Sequence, residues 1–223
     1  MLPVVRGTRP DVDAVWRYLA EPAEFFGVPM PGRADLQTSL TEGIAVADGH
    51  RGSGVLAVTV TLFAVGGGTR THVLADVVAP WRSTPVRIAV LDAPVGGPGA
   101  GSPHWQRMAA RTTSRAASDR LHRRLADDGY ADAVPSATDG TPFLGALVFD
   151  TPRGLVGLDR SEPASILDQL AGAGLVVGVT RVEERPADAT AAWWISPGFE
   201  THPVACIDGT TYETAAQTFL EQP

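Results

Sequence analysis

Three side chains near the end of the chain are of types that can do covalent chemistry together. His202 and Cys206 are four residues apart and Asp208 follows, so on a regular extended strand all three would share one face. A thiol beside an imidazole that a carboxylate orients is a known nucleophile arrangement. Such arrangements are normally built from distant segments, and a single cysteine is usually a small buried apolar residue. We therefore favour a structural role for Cys206 and keep His202 as a candidate catalytic residue.

Arginines are concentrated in one segment, with six of them between residues 107 and 124. One interpretation is a solvated helix face that nearby aspartates balance, and the other is an anion-binding patch. An arginine that faces a cleft can hold a carboxylate through two parallel hydrogen bonds.

The composition excludes several classes of protein. The chain has 223 residues, of which 44% are hydrophobic and 19% charged, and this balance is ordinary for a globular protein. The formal net charge of −7 argues against a nucleic-acid partner, because such binding depends on cationic contacts to phosphate. One cysteine excludes an internal disulfide framework and a cysteine-based zinc site. The histidines show no metal-ligand spacing, so we predict no metal site.

The chain also contains 18 Lys and Arg residues in total, and all 18 are arginine. No lysine remains, and an arginine cannot form a Schiff base, because its guanidinium stays protonated. The longest apolar run, 55–65, is too short to span a bilayer, and the N-terminus lacks a signal-peptide pattern. We expect a cytoplasmic protein that binds neither membrane nor nucleic acid.

Apolar spacing predicts the helices and strands. Val12, Val15 and Leu19 lie on one face of a helix, with Asp11 as its N-cap and Gly27 as its end. The same criteria predict a helix carrying Leu36, Leu40 and Ile44, a hairpin of strands 55–65 and 69–78, strands at 85–92, 131–136, 145–149, 175–182, 193–196 and 204–207, a helix at 114–127 and a helix that begins at Ser161.

Residues 93–103, APVGGPGAGSP, have the composition of a linker. The alternative is a glycine-rich phosphate loop, but the segment lacks a Lys-Ser/Thr ending and a strand–loop–helix frame. We therefore predict an α+β protein of two lobes: a small α/β lobe at 1–92, a Gly/Pro linker at 93–103 and a large lobe at 104–223.

Four stretches have the order and spacing found in one enzyme family. They are RGTRPDVDAVWRYLAEPAEFFGVPMP (6–31), VLAVTVTLFAVGGGTRTHVL (55–74), DDGYADAVPSATDGTPFLGALVF (127–149) and ISPGFETHPVACIDG (195–209). Together they resemble the fold-type IV pyridoxal-phosphate enzymes, which include branched-chain aminotransferases, D-amino-acid aminotransferases and aminodeoxychorismate lyases. The resemblance implies a D-amino-acid aminotransferase-like architecture with a truncated small N-terminal lobe, since that lobe's first strands have no counterpart before Met1. It also implies a homodimer or a heterodimer.

The cofactor contacts of that family have no counterpart at the matching positions. The resemblance places the Schiff-base lysine at Ala110, the glutamate that holds the pyridine nitrogen at Leu144, and the phosphate-binding arginine at Tyr18. A phosphate-contacting threonine is replaced by Pro197. The family's phosphate loop, which precedes a helix N-terminus, has no counterpart between residues 149 and 161.

Some polar groups are retained near these positions. Arg115 takes the place of a family tyrosine that contacts the cofactor, and Tyr18, Arg111 and Ser196 lie at or beside other cofactor positions. We therefore expect a protein without a cofactor, a pseudoenzyme that binds a small carboxylate or a partner chain. The alternative is a cofactor-independent lyase, isomerase or cyclase that reuses the interdomain cleft, with Arg115, Tyr18 and His202 as catalytic residues. An unrelated α+β fold is the third possibility.

Overall fold

The structure of the chain is a computed structural model. It describes residues 1–48, 54–79, 82–92, 103–109, 111–112, 116–136, 142–159, 165–217 and 219–220. The chain divides into two compact units. The first unit comprises residues 1–78 and 101–114, and the second comprises residues 79–100 and 115–223.

The first unit contains a three-stranded antiparallel sheet and three helices, and the sheet order is β1-β2-β3. The strands are β1 (Leu2–Val5), β2 (Val55–Val65) and β3 (Gly68–Val77), and the helices are α1 (Val12–Phe25), α2 (Arg33–Asp48) and α3 (His104–Ala109). The predicted hairpin is confirmed, while β1 and α3 were not predicted. Both are short, and neither has enough residues to show a period.

Helix α1 begins and ends where its sequence indicates. The Asp11 carboxylate accepts a hydrogen bond from the Ala14 N–H at 3.0 Å, which satisfies one of the N–H groups that the first turn leaves without a helical partner. Gly27 follows the last turn with φ of +66°, a conformation that glycine adopts without a steric penalty. The predicted N-cap and the predicted end of the helix are both confirmed.

The turn between β2 and β3 consists of Gly66 and Gly67, with φ of 57° and 82°. Positive φ at both central residues is the requirement of a type I′ turn, whose twist suits a two-residue hairpin. Ten residue pairs then run from Leu56–Val77 to Val65–Gly68 without a register shift.

Helix α2 packs closely on β3. Its predicted stripe of Leu36, Leu40 and Ile44 is buried. On the same helix, Gly43 lies so near β3 that a Cβ there would be 2.5 Å from Val73 Cγ1 and 2.7 Å from Val73 Cβ. The absence of a side chain at Gly43 therefore permits the observed distance between helix and strand.

The second unit is built on an eight-stranded sheet with the order β5-β4-β10-β9-β6-β7-β8, in which β11 pairs with β10. Its elements are β4 (Val86–Leu91), α4 (Ala116–Asp127), β5 (Asp132–Pro135), β6 (Ala146–Thr151), β7 (Gly154–Leu158), α5 (Ile166–Gly172), β8 (Thr180–Arg181), β9 (Ala191–Ile195), β10 (Thr201–Ile207) and β11 (Thr210–Thr211).

Each unit draws on both sides of the predicted linker. Strand β4 precedes the linker, yet it pairs in parallel with β5 and with β10, so it belongs to the second unit. Helix α3 follows the linker and belongs to the first unit. The segment 93–102 lies outside the described residues, and the lobe boundary there stays a prediction.

Two predicted elements differ in extent from those observed. The strand predicted at 175–182 is reduced to the two residues of β8, because Gly178 has φ of +70° and interrupts the extended backbone. The helix predicted from Ser161 begins at Ile166, with Ser165 as its N-cap, and residues 160–164 are outside the described part of the chain.

Replacing Gly43 by alanine should destabilise the protein, although Gly→Ala inside a helix is ordinarily stabilising by about 0.5–1 kcal/mol. The new methyl group would overlap Val73, and we expect a loss of about 1–3 kcal/mol in the free energy of unfolding. Urea unfolding measures this change in the free energy of unfolding. Gly172→Ala in α5 is the matched control, because a Cβ at Gly172 meets no atom within 4 Å. That variant should be unchanged or slightly more stable. Equal stabilisation by both substitutions would contradict the close approach of α2 to β3.

Candidate functional site

A buried carboxylate lies at the centre of the second unit. Asp132 is 0% exposed and accepts hydrogen bonds from four N–H groups. Its Oδ1 accepts from the Ala133 N–H at 2.7 Å and the Leu144 N–H at 3.0 Å. Its Oδ2 accepts from the Gly145 N–H at 2.7 Å and the Trp194 indole N–H at 2.9 Å. The pKa of Asp132 is raised from its ordinary value, because burial raises it by more than the four N–H donors lower it.

This carboxylate requires the sheet to curl. Three inter-strand steps separate β5, which carries Asp132, from β9, which carries Trp194. Steps of about 4.8 Å would place the two strands roughly 14 Å apart in a flat sheet. The 2.9 Å hydrogen bond between them therefore requires that the sheet bends back on itself. Gly145 permits the closure, because a Cβ there would overlap Trp194 Nε1 and the Ile195 carbonyl oxygen.

Leu144, at the position that the resemblance gives to a glutamate, contributes its backbone N–H to Asp132. Its side chain packs against the apolar cluster that includes Leu121, Leu125 and Phe143. A leucine in this environment offers no hydrogen-bonding group to a ligand.

His202 lies on β10 beside Trp194, with the two ring centroids 5.7 Å apart. Its Nδ1 is 3.4 Å from the Thr84 carbonyl oxygen, and its Nε2 is 4.0 Å from Glu200 Oε2. Trp193 and Trp194 are both buried.

The structure does not bring His202, Cys206 and Asp208 together as a catalytic group. The pairing of β10 with β4 shifts register between Val204 and Cys206, so the regular alternation assumed for the strand is broken. Cys206 lies beside Arg87 on β4, and Asp208 is in the turn before β11 with φ of 50°. Among the described residues, no hydrogen bond joins any two of the three.

Tyr18 and Arg111 are brought together in the first unit. The Arg111 guanidinium lies 4.2 Å above the Tyr18 ring, donates to the Tyr18 carbonyl oxygen, and forms an ion pair with Glu21 at 2.5 Å. The Arg111 side chain is only 8% exposed. Its two terminal nitrogens therefore bond to groups of this chain, whereas its buried Nε has no hydrogen-bond partner among the described residues.

Ser196 and Pro197 form the turn between β9 and β10. The Ser196 hydroxyl oxygen accepts hydrogen bonds from the backbone N–H groups of Gly198 at 3.2 Å and Glu200 at 3.1 Å. Phe199 in this turn has φ of 67° and is buried. The hydroxyl thus serves to hold the turn. Ala110 and Arg115, the other two predicted positions, lie outside the described residues.

The N-terminus of α5 is filled by a carboxylate of the chain itself. The Asp159 side chain, which is 0% exposed, accepts from the Leu167 N–H at 2.7 Å and from the Ser165 hydroxyl at 3.0 Å. Arg181 lies 3.5 Å from Asp159 and 3.2 Å from Asp168. An internal anion and its counter-charge therefore occupy the place where a helix N-terminus can bind an external anion.

A groove of about 540 Å³ lies elsewhere in the second unit, between β4, α4 and the β10–β11 turn. Its lining includes Arg87 and Leu91 from β4, Leu121 and Arg124 from α4, Cys206 from β10 and Asp208 from the turn. Arg87 lies with its guanidinium 4.5 Å above the Tyr130 ring and donates to the Tyr130 hydroxyl at 3.1 Å. A hydrogen bond with the Cys206 side chain is the largest cause that raises the pKa of Arg87.

The predicted arginine-rich segment is a solvated helix face only where it forms α4, since Arg111 is nearly buried and paired with Glu21. Arg120, Arg123 and Arg124 of α4 are all exposed. Within the described residues there is no group of three or more side chains suited to bind a metal ion. The same part of the chain contains no helix that is long and apolar enough to cross a membrane.

Comparison with known proteins identifies the architecture. No family model matches the sequence, and no curated protein matches it significantly. Solved structures do match in fold. A hypothetical aminotransferase from Mycobacterium tuberculosis aligns with a TM-score of 0.62 at 19% identity, over 95% of this chain and 81% of that one. A fold IV-transaminase from Curtobacterium pusillum aligns with a TM-score of 0.63 at 17% identity, over 95% of this chain and 77% of that one. A putative 4-amino-4-deoxychorismate lyase from Legionella pneumophila aligns with a TM-score of 0.60 at 14% identity, over 96% of this chain and 84% of that one.

The chain has the fold of the fold-type IV aminotransferases. The expected α+β class and the resemblance read from four sequence stretches are confirmed, and an unrelated fold is excluded. At identities below 20% for these three proteins the likeness establishes the fold, and function must be argued from the site residues.

Two residues, Asp132 and Arg87, were missed by the sequence analysis. Asp132 is the single acidic residue within the apolar stretch ADAVP, and Arg87 is the single charged residue within VRIAVL. An isolated charge inside a strand that is otherwise apolar indicates either a buried, fully hydrogen-bonded group or a specific polar contact. This pattern of an isolated charge is visible in the sequence, and it identifies both Asp132 and Arg87.

Replacing Asp132 by asparagine should destabilise the protein strongly. The amide of asparagine has one oxygen that accepts hydrogen bonds and one NH₂ group that donates them. The NH₂ group would face the N–H donors that now bond to Oδ2, so two buried donors would lose their acceptor. We expect a loss of about 2–4 kcal/mol in the free energy of unfolding, measured by urea titration at neutral pH. The exposed Asp150 of β6 supplies the matched control, since Asp150→Asn should change stability by less than about 0.5 kcal/mol. Similar effects of the two substitutions would rule out the bonding described for Asp132.

Proposed function

We propose that this chain is a pseudoenzyme of the fold-type IV architecture. In this proposal it works without pyridoxal phosphate and binds a small carboxylate ligand or a partner chain. The observation that carries the proposal is the complete absence of lysine from the 223 residues. A Schiff base with the cofactor aldehyde needs a primary amine on the protein, and a lysine side chain ordinarily supplies it.

The residues at the positions of the lost contacts support the same proposal. A carboxylate holds the pyridine nitrogen in the family, whereas Leu144 packs in an apolar cluster. Arg111, beside another cofactor position, is paired with Glu21. Ser196 holds its own turn. These residues do not fit pyridoxal phosphate.

The anion that fills the N-terminus of α5 is a further argument. Asp159 is buried there, and a phosphate brought to the same N–H groups would meet a like charge that cannot move into water. Two negative charges that are both hydrogen-bonded to the same N–H groups repel each other strongly in a medium of low dielectric constant. A phosphate-bearing cofactor is therefore disfavoured at this helix.

An absorbance spectrum of the purified protein, with and without added pyridoxal phosphate, tests the proposal. We expect no band near ~410–430 nm that borohydride abolishes, because a band of that kind reports an imine on the protein. A lysine-containing fold-type IV aminotransferase treated identically is the positive control. A borohydride-sensitive band in this protein after gel filtration would sink the proposal, since the chain's N-terminal amine or another amine would then hold the cofactor.

A further inference from the structure

We propose that the groove between β4, α4 and the β10–β11 turn binds a small monocarboxylate with an apolar body, and that the carboxylate pairs with Arg87. This inference rests on the proposed function, because it gives the ligand of the pseudoenzyme a chemical class and a place. None of the positions that the resemblance assigns to the cofactor lines this groove. The volume of about 540 Å³ is within the range of roughly 300–1,000 Å³ typical of small-molecule sites.

The first argument is the state of Arg87. Arg87 is exposed, and its guanidinium lies 4.5 Å from the Tyr130 ring and donates to the Tyr130 hydroxyl at 3.1 Å, so these contacts favour one orientation before any ligand arrives. A guanidinium has five N–H donors, and these interactions leave several of them available. No ion pair joins Arg87 to an acidic side chain in the described ranges. A cation that Tyr130 orients and that no acidic side chain contacts suits a bidentate carboxylate.

The second argument is the apolar surface next to this cation. Ala89 and Leu91 of β4 and Leu121 and Leu125 of α4 line the same groove. Leu91 is partly exposed, whereas Ala89, Leu121 and Leu125 are at most 9% exposed. An aliphatic or aromatic body would cover the apolar surface that remains and gain the corresponding hydrophobic free energy, which an inorganic anion would not. The ligand should therefore carry an apolar part attached to its charged group.

The third argument is the charge of the exposed acidic residues. Asp92, Asp128 and Asp208 line the groove and are exposed. Three negative charges near the opening oppose phosphate esters and dicarboxylates by like-charge repulsion, whereas a single carboxylate can be matched by Arg87 and by the exposed Arg124. Among anions, a monoanion is the charge state that this distribution opposes least.

Cys206 provides a direct test in the unmodified protein. It is the one cysteine of the chain, it lines the groove and it is partly exposed, so a ligand in the groove should shield it. The alkylation rate of Cys206 by iodoacetamide is measured against increasing phenylacetate, with phenylacetamide as the uncharged probe of the same shape. Phenylacetate should slow alkylation at concentrations about tenfold lower than phenylacetamide, which is the expected difference for one charge-assisted contact.

Two variants locate the effect. Arg87→Met keeps an unbranched apolar stem and removes the guanidinium, and the phenylacetate concentration that gives half-protection should rise by about tenfold. Arg153→Met is the matched control, because the Arg153 side chain is 82% exposed and lies outside the groove, and its protection curve should be that of the unmodified protein. Comparing each variant with and without ligand cancels any change in the intrinsic reactivity of the thiol, and circular dichroism verifies that each variant is folded.

The outcomes separate this inference from the proposed function. Absence of protection by phenylacetate, equal protection by acid and amide, or undiminished protection in Arg87→Met would each overturn the groove as a carboxylate site. The pseudoenzyme proposal would still stand if the pyridoxal-phosphate spectrum remained that of protein alone. A borohydride-sensitive imine band would overturn the pseudoenzyme proposal whatever happens at Cys206.

Discussion

The Asp132 carboxylate joins three segments of the second unit that are far apart in sequence: the start of β5, the residues before β6, and β9. Four N–H groups end on this one side chain, and the strands that carry them could not meet if the sheet were flat. A buried charge without partners would be prohibitively costly, but a carboxylate that four donors surround is well solvated by the protein itself. The curl of the sheet, the glycine at position 145 and the buried position of Trp194 together allow that charge to be satisfied.

The same principle recurs where the fold could have received an external anion. Arg111 pairs with Glu21 in the first unit, and Asp159 pairs with the N-terminus of α5 and with Arg181 in the second. In each case a charge of the chain satisfies a group that a ligand could otherwise satisfy. Arg87 differs, because its guanidinium lines an open groove and forms no ion pair with an acidic side chain of the described residues. The chemistry that this chain retains should therefore be sought at a charge that no other side chain of the fold contacts.

The sequence predicted those parts of the structure that local periodicity and turn chemistry determine. Helix α1 with its Asp11 cap and the hairpin around Gly66 and Gly67 belong to this group. Strand β7 was missed, because its sequence GLVGL has two glycines and no alternation, and its conformation depends on pairing with β6. The fate of the candidate residues could not be predicted either. Whether Arg111 meets a ligand or Glu21 is decided by a contact across 90 residues of sequence, which no local pattern records.

Strand β10 has a consequence for the synthesis of the protein. It lies between β4 and β9 in the middle of the sheet, and the contact between His202 and Thr84 spans 118 residues. A ribosome adds roughly 5–20 residues per second, so β4 emerges on the order of ten seconds before the strand that must pair with it. During that interval its edge is open to other chains, as any unpaired strand edge is. The second unit therefore folds only after nearly all of it has been translated, and a chaperone that covers β4 in the nascent chain would be the natural protection.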